Sequence, residues 1–90
     1  MAGINAAKYK LMPTSPDVDL KKIEEDAKKI VEDFSGTNRE YTIEPIAFGL
    51  KALIVFFSYP DDKETEGLED KFAKIENVAS AQLIDMRKIA

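Results

Sequence analysis

Ninety residues suffice for one compact domain with a single core. With no Cys and no His, the chain can form no disulfide framework, thiolate or imidazole metal site, cysteine nucleophile or Ser-His-Asp arrangement. Its 13 basic and 17 acidic residues leave a net charge of −4, a surface that repels phosphate backbones and makes nucleic acid a poor partner. The longest apolar run, Leu53 to Phe57, is far short of the roughly 18 residues of a membrane span. No basic flank followed by an apolar stretch opens the chain. The reading is one soluble domain over residues 1–90, cytoplasmic, with no membrane partner and no cofactor.

Along Asn5 to Met12 the chain alternates, with Ala7, Tyr9 and Leu11 on one side and Lys8 and Lys10 on the other, as a half-buried strand does. Pro13 ends it, and Thr14-Ser15-Pro16-Asp17 reads as a loop. Leu20, Ile23, Ala27, Ile30, Val31 and Phe34 then recur at helical spacing, opposite a face of lysines and glutamates. Asp19 is placed to cap this helix, Val18 and Ile23 to staple it, and Gly36 to supply a left-handed residue beyond its end.

Alternation through Tyr41 and Ile43 predicts a second strand over Arg39–Glu44, stopped by Pro45. After a turn at Ile46-Ala47-Phe48-Gly49, Leu50 to Tyr59 forms the most apolar strand. Leu53, Val55 and Phe57 lie on one face and Ile54 and Phe56 on the other, which predicts a central position in a sheet. Leu68, Phe72 and Ile75 mark a shorter helix, with Thr65 as its cap and Asn77 as a left-handed terminus. The last strand runs from Val78 towards Lys88. Its alternation through Ala81 and Leu83 loses parity at Met86, the sign of a bulge or of the strand's end.

The order β-α-β-β-α-β, with one apolar stripe per helix, predicts an α+β fold. Two helices cover one face of a four-stranded antiparallel sheet in the ferredoxin-like arrangement. Tyr9, Leu11, Ile23, Ile30, Leu53, Val55, Phe57, Phe72 and Leu83 are expected in one core. The fold hosts many functions and leaves the function open.

Neither G-x-x-x-x-G-K-[ST] nor G-x-G-x-x-G is present, so the chain is not expected to bind nucleotide itself. An RNA-recognition pattern aligned at Lys51 places Leu53, Val55 and Ser58 where stacking aromatics belong, which argues against RNA. An acylphosphatase-like site would need an arginine-lined loop after the first strand, where Asp17 stands instead. A small-ligand regulatory or oligomerisation module of the same fold remains as an alternative. Two stretches carry more information. In Glu44-Pro45-Ile46-Ala47-Phe48-Gly49-Leu50, a Pro and a Gly can hold Phe48 rigidly outward; folding back as core is the commoner fate of such a residue. In Asp85-Met86-Arg87-Lys88-Ile89-Ala90, two cations point to opposite faces of an extended chain, and solvation is the ordinary reading of both.

The stretch Pro13-x-Ser15-Pro16-Asp17-Val18-Asp19, the turn Pro45-Ile46-Ala47-Phe48-Gly49-Leu50 and the near-terminal Lys88 together resemble the archaeal elongation factor 1-beta family. That resemblance covers essentially the whole chain. It implies a guanine-nucleotide exchange factor, not an enzyme, whose partner is the GTPase elongation factor 1-alpha. It further implies that Phe48, with Ile46, Gly49 and Arg87, contacts the partner. Lys88 would reach towards the partner's magnesium site. Two departures stand out. Ala90 extends one residue beyond the eukaryotic pattern. Ile54 and Phe56 stand where eukaryotic relatives carry polar residues, which leaves two readings open: an exposed apolar patch suited to self-association, or a face covered by neighbouring contacts.

Overall fold

The computed structural model describes residues 3–89; the expectation for Ala90 lies outside the described residues. Six elements follow in the order β1 (Ile4–Pro13), α1 (Leu20–Asp33), β2 (Thr37–Pro45), β3 (Lys51–Pro60), α2 (Leu68–Ala73) and β4 (Val78–Lys88). The sheet has the strand order β2-β3-β1-β4, and all three pairings are antiparallel. This is the expected ferredoxin-like layout, with β1 and β3 central. Among the described residues, no helix is long and apolar enough to cross a membrane.

Register sets the core. Tyr9 lies opposite Val55 on one side and Leu83 on the other, and Leu11 lies opposite Leu53 and Ala81, so one face of the sheet is apolar across its width. Helix α1 closes over it with Ile23, Ala27 and Val31, and α2 with Leu68 and Phe72. All nine expected core residues pack here, seven of them buried and Ile30 and Leu83 partly so. Tyr9, Phe34, Phe57, Tyr59 and Phe72 form a continuous aromatic cluster. Tyr9 and Phe72 have ring centroids 5.0 Å apart, and Phe34 and Tyr59 have theirs 5.4 Å apart. Each such pair adds about 0.5–1.5 kcal/mol beyond area burial.

Helix α1 begins as the sequence predicts, with the Asp19 carboxylate accepting from the Lys21 amide at 3.0 Å. Its other end differs from expectation. The left-handed residue is Ser35 (φ 67°), one position before Gly36. The Ser35 amide donates to the Glu32 carbonyl and the Gly36 amide to the Val31 carbonyl, the paired bonds of a Schellman motif. Gly36 is glycine for space, since an added Cβ would lie 2.9 Å from Val31 Cγ1 and 3.1 Å from the Ser58 carbonyl oxygen. Helix α2 also starts differently. A turn in which the Leu68 amide donates to the Thr65 carbonyl leads into Gly67 (φ 82°), which takes the capping position in place of Thr65. Asn77 is left-handed as expected (φ 70°), but it sits in a turn after α2 and not at the helix terminus itself.

The face of the sheet away from the helices decides between the two readings of Ile54 and Phe56. Ile54 is only 8% exposed. It stands between Lys10 and Thr42 in register, while Phe56 stands between Lys8 and Glu40, with the Lys8 ammonium 5.2 Å from its ring centroid. Long charged side chains lay their stems over apolar neighbours and keep their heads in water. Lys10 and Glu44 complete the cover with an ion pair at 3.7 Å. No open apolar patch is formed by Ile54 and Phe56.

Three measurements check this packing. Gly36→Ala is expected to lower stability by about 1–3 kcal/mol, the cost of overpacking. Ser35→Gly should raise it by up to about 1 kcal/mol by relieving a left-handed side-chain-bearing residue; chemical denaturation reads both. The third concerns alkaline pH. Burial pushes the phenols of Tyr41 and Tyr9 above their ordinary range, with Glu24 and Glu32 adding to the rise at Tyr41. Unfolded phenols ionise near pH ~10. Their contribution is therefore fully present below that pH and is lost as pH rises above it. Tyr41→Phe should flatten the fall in stability on the alkaline side.

Candidate functional site

The β2–β3 connection is built by two constraints. The Ile46 amide donates to the Leu50 carbonyl at 2.7 Å, closing the hairpin at its base, and the Leu50 amide donates to the Ala47 carbonyl at 3.1 Å. Between them Phe48 (φ 59°) and Gly49 (φ 78°) both take positive φ, the pattern of a type I′ turn. Gly49 adopts this conformation without strain; a bulky Phe does so at a cost of about 1–3 kcal/mol. That strain is not offset by burial, because Phe48 is 95% exposed. Of the two fates open to this residue in sequence, the structure shows the outward one.

Beside the turn lies a cleft of about 300 Å³, walled by Pro13, Pro16, Val18 and Leu20 with Ile43 and Lys51 across from them. Ile43 has the core-facing parity of β2 yet is 57% exposed. It pairs with Leu53 near the end of the sheet, beside the start of α1, where the helix layer runs out. The cleft was not legible in sequence, although the Pro13–Asp19 stretch that lines it had stood out there.

The second group of expected residues lies at the other end of the molecule. Lys88 pairs with Asn5, and Asn5 with Tyr59, close to where β3 ends. The Phe48 turn precedes Lys51, where β3 begins. At about 3.3 Å per residue, ten residues of β3 separate the two groups by roughly 30 Å. Ile46, Phe48 and Gly49 thus lie together at one end of the sheet, and Arg87 and Lys88 lie together at the other.

The β4 bulge sets which cation faces which way. Tyr9 pairs with Leu83 and Lys8 with Asp85, leaving Ile84 as the extra residue. The parity loss at Met86 is therefore a bulge, and the strand continues beyond it. Met86 faces the helix layer, Arg87 the open face and Lys88 the helix-layer side. Arg87 pairs on its own face with Asp85 at 2.7 Å. Lys88 reaches past Asn5 to Asp61, with Nζ 3.6 Å from Oδ2. Asp61 was not singled out in sequence, because its only local signal was a Pro-Asp-Asp turn.

Residues 6–89 match the family model described as the EF-1 guanine nucleotide exchange domain. The chain belongs to that family. The exchange-domain chain is 41% identical over 85 residues to elongation factor 1-beta of Methanosarcina barkeri, covering 93% of this chain and 96% of that one. Its identity to elongation factor 1-beta of Nanoarchaeum equitans is 39% over 75 residues, with 82% and 91% covered. To that of Halobacterium salinarum it is 38% over 85 residues, with 93% and 96% covered. Among solved structures it is similar to the ACT domain from GTP pyrophosphokinase of Chlorobium tepidum, with a TM-score of 0.57 and 14% identity, covering 93% of this chain and 100% of that one. At that identity the likeness bears on the fold alone.

The geometry of the exchange domain's turn makes a direct prediction for the free protein. Phe48→Gly should stabilise it by about 1 kcal/mol or more by releasing the left-handed strain. Phe48→Ala, which keeps a side chain at positive φ and removes only exposed surface, should leave the denaturation midpoint nearly unchanged. A large loss of stability in either variant would show that Phe48 packs as core.

Proposed function

We propose that this protein releases GDP from the GTPase elongation factor 1-alpha by gripping it at two separated places, the Phe48 turn and the Lys88 tip. The observation that carries this reading is the strained, fully solvated Phe48. A folded chain keeps a bulky residue in a left-handed turn, contributing nothing to its own core, where the residue serves an encounter with something else. Aromatic residues on rigid supports are typical anchors of protein interfaces. The setting for this work is the cytoplasm, where translation elongation runs.

Exchange requires no bond-making residue. A factor that binds the nucleotide-free GTPase more tightly than the loaded one weakens nucleotide affinity by the same ratio. In such GTPases bound nucleotide depends on Mg²⁺ and on groups cradling its phosphates. Lys88 carries a compact ammonium on a flexible stem. Brought to the edge of the partner's magnesium site, it competes with the ion for the same negative groups. Phe48, roughly 30 Å away by strand geometry, supplies anchoring area at a second place. The affinity gained there holds the lysine in position without itself touching the nucleotide. GTP then refills the empty site by mass action.

Stopped-flow release of fluorescent GDP from elongation factor 1-alpha across a Mg²⁺ titration separates the two roles. Phe48→Ala should weaken the complex by about 2 kcal/mol, the scale of an interface hot spot, and higher factor concentration should restore the release rate. Lys88→Ala should slow release most at high Mg²⁺, and the defect should shrink as the ion is chelated. Lys88→Arg should rescue poorly, because a planar guanidinium does not replace an ammonium at a tight ionic site. Arg87→Ala, on the opposite face and paired with Asp85, should matter less. Equal rates for wild type and Lys88→Ala at every Mg²⁺ concentration would refute the role given to Lys88.

A further inference from the structure

We infer that Asp61 is a positioning residue for Lys88: it holds the lysine's ammonium in the free protein and has to release it when the GTPase is engaged. This inference rests on the role given to Lys88 above. Its observational basis is the ion pair at the Lys88 end of the sheet. Both backbones of that pair are pinned to the start of β1. The Asp61 amide donates to the Gly3 carbonyl at 2.9 Å, and the Ile89 amide, next to Lys88, donates to the Ile4 carbonyl at 2.8 Å. Lys88 and Asp61 are not strand neighbours. Asn5 stands between Lys88 and Tyr59 in register, so the lysine stem crosses β1 to reach the loop that follows β3.

The two partners are unequally held. The Asp61 side chain is 24% exposed and that of Lys88 is 69% exposed, so the carboxylate is the fixed member and the ammonium the movable one. At 3.6 Å the contact is longer than a hydrogen bond and acts through charge. An exposed pair of this kind shifts an equilibrium by no more than about fivefold, and salt weakens it further. That is strong enough to bias a flexible stem and weak enough to be exchanged for a better anionic site. The loop carrying Asp61 also contains Asp62, Glu64 and Glu66 against a single Lys63. Lys88 therefore rests beside an acidic loop, and the partner's negative groups compete with a carboxylate of this chain for the same ammonium.

The test uses the full chain and neutralises one carboxylate at a time. In Asp61→Asn the backbone bond to Gly3 is kept and the charge is lost. Lys88 side-chain NMR signals of the free protein should shift in this variant at low salt, and the difference from wild type should vanish near about 0.5 M salt. With the factor limiting, GDP release should quicken two- to fivefold in Asp61→Asn. It should remain close to wild type in Asp62→Asn, which makes the same charge change without touching the pair. In a Lys88→Ala background, Asp61→Asn should give no gain. A gain of equal size in Asp62→Asn, or one that survives Lys88→Ala, would reduce the effect to general charge and overturn the inference. Unchanged Lys88 signals in Asp61→Asn would overturn it at the level of the pair. Shifted signals together with normal release by Lys88→Ala would instead locate the failure in the role of Lys88, and the role of Asp61 would fall with it.

Discussion

Everything in this domain hangs on the contact between Phe57 and its aromatic neighbours. Phe57 lies on the central strand β3, stacked against Tyr9 of the other central strand and meeting Phe34 just beyond α1 and Phe72 of α2. One fully buried side chain thus ties both helices to both inner strands. Interiors are close-packed, so such a junction transmits position with little slack. The strand ends that project beyond it are rigidly placed although they contribute little to the core.

That rigidity matters because the residues of functional interest lie where the core stops. At one end the hairpin between β2 and β3 extends past the helix layer, leaving Ile43 half solvated and Phe48 wholly so. At the other, β4 carries the exposed Arg87 and Lys88 beyond Asp85, the last partly buried residue of the strand. A hairpin closed by short backbone bonds can hold a strained residue, since the turn is fixed by its base and not by the side chain it displays. The terminal strand achieves the same by pairing with β1 to its last residue.

Charge is distributed with the same division. On the open face, Lys8 covers Phe56 and Lys10 pairs with Glu44, so a surface that would otherwise be apolar is made soluble by lysine stems. At the tip, Arg87 is met by a neighbour on its own strand, while among the described residues Lys88 is met by a carboxylate two strands away. Two adjacent cations of the same type in composition therefore differ in how readily each can leave its partner.

The architecture was legible in the amino-acid order. Alternation and helical spacing identified all six elements, because an element on one side of a core repeats its apolar residues with the period of its own backbone. The double apolar face of Leu53–Phe57 placed β3 centrally, because a strand covered on both sides buries both of its faces. Resemblance carried by the Pro45–Leu50 turn and Lys88 pointed to the exchange family, which the match over residues 6–89 bears out. What sequence left open depended on contacts between distant segments. The fate of Ile54 and Phe56 turned on lysines and acids brought alongside by strand register. Gly36 was read as a conformational glycine, yet its reason is the approach of Val31 and the Ser58 carbonyl. Strict parity would have sent Lys88 to the open face; one extra residue at Ile84 turns it towards Asp61. Periodicity records which stripe an element buries, whereas a bulge, a close approach or a cross-strand ion pair exists only once two segments far apart in the chain lie side by side.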